Sequence, residues 1–365
     1  MKFDYVIGNP PYQETQEGTS DNPIYNCFMD AAYEIAEKVE LITPARFLFD
    51  AGKTPKVWNE KMLEDEHLKV EYYEQDSSKV FSNTDIKGGV AVTYRDKSKI
   101  FGAIDTFTQY PVLNNILVKV REKMERAISD IVYSPESYKF TNLMYEEHPE
   151  ILEKTMNVNG KKVPLISKGH ERDLTSNIFD KLSQIVFFED KPTDGKEYVE
   201  ISGRKEKSRI NMWILKDYIV KHENLDAYKL FFPKANGSGK FGEPMSSAII
   251  GFPKVGHTQT FISIGKFKTE NEVVALNKYL CGKFARAMLG VLKVTQDNKK
   301  MVWKYIPLQD FTDKSDIDWS VSIANIDKQL YKKYRLSEEE IAFIENNVKE
   351  MDCLLYTSPS PRDRG

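Results

Sequence analysis

The chain has 365 residues, of which 41% are hydrophobic and 29% charged, enough for an ordinary folded core and for two or three domains. Its apolar runs fall short of the roughly 20 residues that cross a bilayer, its N-terminus has no signal-peptide apolar region, and its three cysteines and five histidines are scattered, which argues against a membrane protein, a disulfide framework or a metal site and for a reducing, cytoplasmic setting. Residues 201–310 hold 19 Lys+Arg against 9 Asp+Glu, a net +10, which leaves −13 elsewhere in a chain whose total is only −3. Such an asymmetry marks one basic surface, suited to phosphate contact or simply a solvated lysine-rich face.

In chain order, Asp4-Tyr5-Val6-Ile7-Gly8 is a short apolar strand, and Pro10-Pro11 forbids helix directly after it. Apolar residues at helical spacing predict a helix over 24–38. Val39-Glu40-Leu41-Ile42-Thr43 is the next strand, closed by Pro44, and Pro55 to Glu64 reads as a helix. Leu68 to Tyr73 and Gly89 to Tyr94 read as a pair of strands. The order β-α-β-α-β-β predicts an α/β domain over 1–133, a parallel sheet ending in an antiparallel pair, with residues 103–133 helical. The polar stretch 134–159 reads as a linker, and 160–335 as a mixed α+β domain carrying most of the turn glycines and basic residues. A final helix over 336–352 opens with Ser337 and Glu340 at capping-box spacing. Residues 353–365 have no period and little to bury. They resemble translated sequencing-adapter sequence, and we expect them not to be native.

The residues with the clearest chemistry are Asn9, Pro10, Pro11 and Tyr12, at the end of the first strand. An aromatic amine such as adenine N6 is a poor nucleophile, because its lone pair is delocalised into the ring. Two neutral acceptors aimed at its two hydrogens favour the tetrahedral nitrogen that forms as a methyl group arrives. The Asn9 side-chain carbonyl and the Pro10 backbone carbonyl are such acceptors, two prolines hold the loop in advance, and Tyr12 offers a face for a flipped base. The other reading is a proline-stiffened surface turn.

Phe3 to Gln13, containing this motif, resembles motif IV of the γ-type, TaqI-like adenine-specific DNA methyltransferases of restriction–modification systems, a group that includes the bifunctional type II and type IIG enzymes. Leu41 to Leu48 is similar to their next strand and turn. Lys79-Val80-Phe81 with Asp85 to Val92 is similar to their last strand pair. Thr295-Gln296-Asp297, Ile306 to Phe311, Asp316 to Ser320 and Ile326 to Tyr331 look like the closing part of their target-recognition region, so the likeness runs to about Met351. The resemblance implies the C-terminal half of a Rossmann-like methyltransferase sheet followed by a DNA target-recognition domain. It implies S-adenosyl-L-methionine as methyl donor, duplex DNA as partner, and Phe81 as the second face on the flipped adenine unless it is a core phenylalanine. The family's glycine-rich cofactor loop precedes motif IV. The sequence opens at motif IV, so we expect that half, and any fused nuclease, to lie upstream, with Met1 an internal methionine and the isolated chain inactive.

Two glycine-containing stretches imitate cofactor loops. Gly237-Ser238-Gly239-Lys240-Phe241-Gly242 fits G-x-G-x-x-G, but Glu243-Pro244 stands where a helix should open, so a DNA-contacting turn is the better reading. Asp50-Ala51-Gly52-Lys53-Thr54 ends like a phosphate loop, but Phe47 stands where its first glycine belongs. The candidate DNA contacts are Lys168 and Arg172 with His170; Arg204, Lys205, Lys207 and Arg209; Lys234, Asn236, Ser238 and Lys240; and Lys293 and Gln296 with Lys299 and Lys300. Three functions stay open: a site-specific adenine-N6 DNA methyltransferase, a non-catalytic DNA-binding specificity module, and a methyltransferase acting on protein glutamine or ribosomal RNA. The last group shares the Asn-Pro-Pro-Tyr motif but normally lacks so long a basic second region.

Overall fold

The computed structural model describes residues 2–14, 22–49, 53–82, 86, 88–158, 161–293, 295–353 and 355–356. The chain divides into two compact units, Met1–Asn115 and Ile116–Gly365.

The first unit contains strand β1 (Phe3–Gly8), helix α1 (Tyr25–Ile35), strand β2 (Ala36–Pro44), helix α2 (Lys56–Glu64) and strands β3 (Leu68–Glu74) and β4 (Val90–Asp96). The sheet order is β1-β2-β4-β3. β1 and β2 run parallel, with Phe3 opposite Ala36 and Gly8 opposite Leu41. β4 lies between β2 and β3 and is antiparallel to both. The expected order of elements is present, with the last strand inserted inside the sheet. The first helix stops at Ile35, three residues before its expected end. Ala36, Glu37 and Lys38 are good helix formers, but strand pairing of Ala36 and Lys38 with Phe3 and Tyr5 overrides that weak preference. Tyr25, Met29, Ala32 and Tyr33 form one buried stripe of α1 and pack with Val39, Leu41, Trp58 and Met62.

Helix α3 (Pro111–Lys123) spans the division between the units. It is much shorter than the helix expected over 103–133. Proline suits its first turn, and beyond Lys123 the chain passes into a 3-10 turn at Ile128–Ile131. The described residues of the expected linker, 134–158, are not a bare connection. Tyr138, Phe140, Met144 and Ile151 are all buried in the second unit's main core with Phe179, Phe187, Ile201 and Met212.

The second unit's strands include β5 (Tyr198–Lys205), β6 (Ser208–Leu215), β7 (Tyr228–Pro233), β8 (Ala248–Gly251), β9 (Val255–His257) and β10 (Phe261–Phe267). β5 pairs with β6 as a hairpin and with β9 in parallel, while β7 lies antiparallel between β8 and β10. Helices α4 (Glu270–Cys281), α5 (Lys283–Leu289), α6 (Ile323–Lys333) and α7 (Glu338–Asn347) follow. The expected capping box opens α7, with Ser337 N–H donating to Glu340 Oε2 at 2.7 Å and Glu340 N–H to Ser337 Oγ at 3.3 Å. In the adapter-like tail, Leu355–Tyr356 pairs in parallel with Ala248–Ile249, and residues 354 and 357–365 lie outside the described residues.

Candidate functional site

The first unit carries the Asn9 motif where β1 leaves the sheet. Asn9 and Pro11 are exposed, Pro10 and Tyr12 half-buried. The two prolines end strand pairing, and the Ile24 amide donates to the Tyr12 carbonyl at 3.1 Å, which ties the loop to the start of α1. The Tyr12 ring packs on the unit's core. Its hydroxyl is buried and has no hydrogen-bond partner among the described residues, and burial pushes the phenol above its ordinary pKa. A buried polar atom left open in this way is costly unless something arrives to meet it.

Phe81 stands beside Tyr12. Its amide donates to the Ser77 carbonyl at 2.8 Å, and Asp76 steadies that turn by accepting the Ser78 amide at 3.1 Å. The two rings lie 6.5 Å apart between centroids at 63°, edge to face. The structure therefore brings the two predicted stacking residues together, but with their planes crossed. Asp85 and Lys87, in the strand-pair stretch similar to the family, lie outside the described residues.

In the second unit, two of the four expected basic clusters become one surface. Ala235 bridges Asp297, the Asn236 amide donates to the Gln296 carbonyl at 2.8 Å, and the Asn298 amide to the Lys234 carbonyl at 2.8 Å. Lys234, Ser238 and Lys240 are exposed there. Lys293 is a correction to the sequence reading. It is 5% exposed, and its ammonium donates to the Asn236 and Thr295 carbonyls at 2.9 and 3.0 Å, so it supports the turn from beneath. Burial pulls its pKa down, with Glu243 and Asp297 opposing.

The other clusters are partly engaged. Arg204 Nε donates to the Glu206 carbonyl at 2.7 Å, Lys205 pairs with Glu189, and Arg209 lies over the Phe261 ring at 5.7 Å. Lys207 is exposed at the tip of the β5–β6 hairpin. Lys168 is exposed, His170 bonds Asp173 at 2.8 Å, and Arg172 Nε donates to the Phe140 carbonyl at 3.1 Å, which braces the backbone at that buried phenylalanine.

The glycine turn does not fit a cofactor loop. It follows β7 but no helix starts after it, and its amides at Ser238 and Gly239 donate to the Glu243 carboxylate. Asp50, Ala51 and Gly52 lie outside the described residues.

Residues 1–81 match the Eco57I restriction-modification methylase family. The resemblance read from the Asn-Pro-Pro-Tyr motif is borne out over this segment. An "uncharacterized adenine-specific methylase" of Mycoplasma pneumoniae is 32% identical over 95 residues, 25% of this chain and 22% of that protein. The chain thus spans about a fifth of the length of that curated relative. Among solved structures, the type IIG restriction endonuclease BpuSI is 11% identical with a TM-score of 0.31, over 90% of this chain and 48% of that one. The type IIL restriction-modification enzyme MmeI, in complex with DNA, is 11% identical with a TM-score of 0.33, over 94% and 56%.

Proposed function

We propose that this chain is the target-amine and DNA-recognition part of a site-specific adenine-N6 DNA methyltransferase of a restriction–modification system. The observation that carries the reading is the Asn9 motif at the mouth of a β1-β2-β4-β3 sheet, within the segment that matches restriction-modification methylases and beside the Tyr12–Phe81 ring pair. The sheet order supports reading the first unit as the C-terminal half of a methyltransferase sheet. The basic surface around Lys234 and Gln296 supports reading the second unit as the part that holds duplex DNA.

On this reading a flipped adenine stacks at Tyr12 and Phe81. The Asn9 amide oxygen and the Pro10 carbonyl accept its two N6 hydrogens and draw the nitrogen toward tetrahedral geometry, a stabilisation strongest in the transition state. S-adenosyl-L-methionine is the methyl source the family implies. The glycine turn after β7, its amides taken by Glu243 and no helix following it, does not fit that donor. That observation favours a second reading, in which the chain by itself is a DNA-binding specificity module.

One experiment separates the two: incorporation of labelled methyl from S-adenosyl-L-methionine into duplex DNA, with DNA affinity measured in parallel. In a parent protein that carries a methyl-donor site, methyltransferase function predicts that Asn9→Ala lowers incorporation about 100- to 1000-fold, the scale for removing one preorganised polar partner, with DNA affinity unchanged. Near-normal incorporation by Asn9→Ala refutes the assigned role. DNA binding without incorporation by the unaltered chain supports the specificity-module reading.

A further inference from the structure

The glycine turn after β7 is already holding an anion, and that anion is the chain's own. Glu243 folds its carboxylate back over the turn. The Ser238 amide lies 2.9 Å from each carboxylate oxygen, the Gly239 amide 2.7 Å from Oε1, and the Ser238 hydroxyl 3.0 Å from Oε2. Consecutive amides aimed at one point form an anion-binding concavity. Gly237 and Gly239 supply the positive φ values, 69° and 85°, that turn the amides inward. A Cβ at Gly237 would lie 2.3 Å from Glu243 Oε1, so the glycine is what lets the carboxylate approach.

The surroundings are built for negative charge. Beneath the turn, the buried Lys293 ammonium is held by two carbonyls, with Glu243 among the acidic groups acting on it. Burial works to raise the Glu243 carboxyl, but the Ser238 and Gly239 amides, the Ser238 hydroxyl and Lys293 bring it below the ordinary glutamate range. Above the turn, Lys234, Ser238 and Lys240 are exposed. The turn's far end is anchored independently of the carboxylate. Phe241 packs on Phe343 with centroids 5.8 Å apart, and the Lys349 amide donates to the Gly242 carbonyl at 3.0 Å.

We propose that the Gly237–Glu243 turn is a phosphate-binding site kept filled by Glu243, and that a phosphodiester oxygen of DNA displaces the carboxylate when DNA binds. The two anions have the same needs: several amide donors, a hydroxyl and a nearby ammonium. The glutamate keeps the site satisfied in free protein and sets a threshold that a weakly held anion does not cross. The inference rests on the DNA-binding reading above and adds the self-occupied site to it.

The test uses the full chain and Glu243→Gln, with two probes. Inorganic phosphate is titrated while the Ser238 and Gly239 amide resonances are followed, and duplex DNA affinity is measured across a range of salt. The variant should bind phosphate at those amides where the unaltered chain responds weakly, and bind DNA roughly ten-fold more tightly, the scale of one charge-assisted hydrogen bond. Its slope of log affinity against log salt should change by less than about 0.9, the amount for one phosphate contact, because that contact forms in both proteins. Unchanged amide resonances together with unchanged DNA affinity overturn the site and leave the DNA reading standing. A phosphate response with no DNA binding by either protein overturns the DNA reading and with it the ligand named here. If Glu243→Gln loses the turn, seen as collapse of those resonances, Glu243→Asp carries the same test. Its shorter side chain keeps the charge but withdraws it from the amides, so it too should admit phosphate, and failure to do so overturns the proposal.

Discussion

The two units use apolar strands in opposite ways. In the second, β7 and β8 are buried along almost their whole length, with Leu230, Phe231, Ile249 and Ile250 all under 5% exposed. In the first, β1 lies at the edge of its sheet, and Phe3, Tyr5 and Ile7 are 43%, 41% and 75% exposed. The three alternate along the strand and so share one face of the sheet. The difference teaches that the apolar stretch carrying the Asn9 motif is not held by a core of its own on that face. It relies on pairing with β2 along one side and on whatever apolar surface covers it. Groups that must meet a ligand are often drawn from the less stable parts of a fold, and the exposed strand that carries Asn9 fits that pattern.

The largest effect is expected where packing is removed from the second unit. Phe187 is fully buried and meets Phe179 at 4.9 Å and Phe140 at 6.0 Å between centroids. Phe187→Ala leaves a large cavity and should cost about 3–5 kcal/mol in urea unfolding. A cost below about 1 kcal/mol would mean that this cluster, and with it the role of residues 134–159 in the core, is much looser than the distances indicate.

A smaller effect comes from acid. His257 is fully buried between the second unit's sheets. Its Nδ1 lies 2.9 Å from the Thr258 carbonyl, and its Nε2 3.1 Å from Ser263 Oγ. The neutral ring satisfies both, with Nδ1–H donating and Nε2 accepting, while Asn224 Nδ2 donates to the same serine oxygen at 3.0 Å. Burial lowers its pKa from 6.5 to about 3, helped by Lys229 and His222 and opposed by the Thr258 carbonyl. Because the folded pKa lies below the unfolded one, the unfolded chain binds the extra proton between them. Stability is intact above pH 6.5 and falls as the pH drops toward 3, by up to about 1.4 kcal/mol per pH unit. His257→Gln should flatten that slope in unfolding measured between pH 7 and 5, and an unchanged slope would assign the acid sensitivity elsewhere.

Much of the first unit was legible because its chemistry and its pattern coincide. Short apolar runs closed by Pro10 and Pro44 mark strand ends that no tertiary contact has to supply. What escaped depended on distant partners. Ala36 to Lys38 read as helix because their strand character comes from pairing with distant strands, β1 at Ala36 and both β1 and β4 at Lys38. Tyr138, Phe140, Met144 and Ile151 sit among polar residues with no period, so their burial is visible only once the sheet beneath them is in place. At the glycine turn, the absence of a following helix was readable, since Pro244 forbids one nearby. The return of Glu243 onto Ser238 and Gly239 was not, because it depends on two positive-φ glycines reversing the chain. Around Lys293 the sequence holds a local signal, since Val291, Leu292 and Val294 form an apolar run of the kind that packs inward and draws the lysine with it only where its ammonium finds partners.

The smallest expected effect tests the edge itself. Ile7 projects from an edge strand at 75% exposure, so replacing it removes little buried area. Ile7→Ser should change unfolding free energy by no more than about 0.5 kcal/mol, against the several kcal/mol expected at Phe187. The same change should reduce self-association in sedimentation, because an uncovered apolar edge strand is a template for pairing with another chain. A large loss of stability would mean that the Ile7 side chain is packed in solution. The face would then already be covered, and the contrast between the two units would lie in their sequence patterns alone.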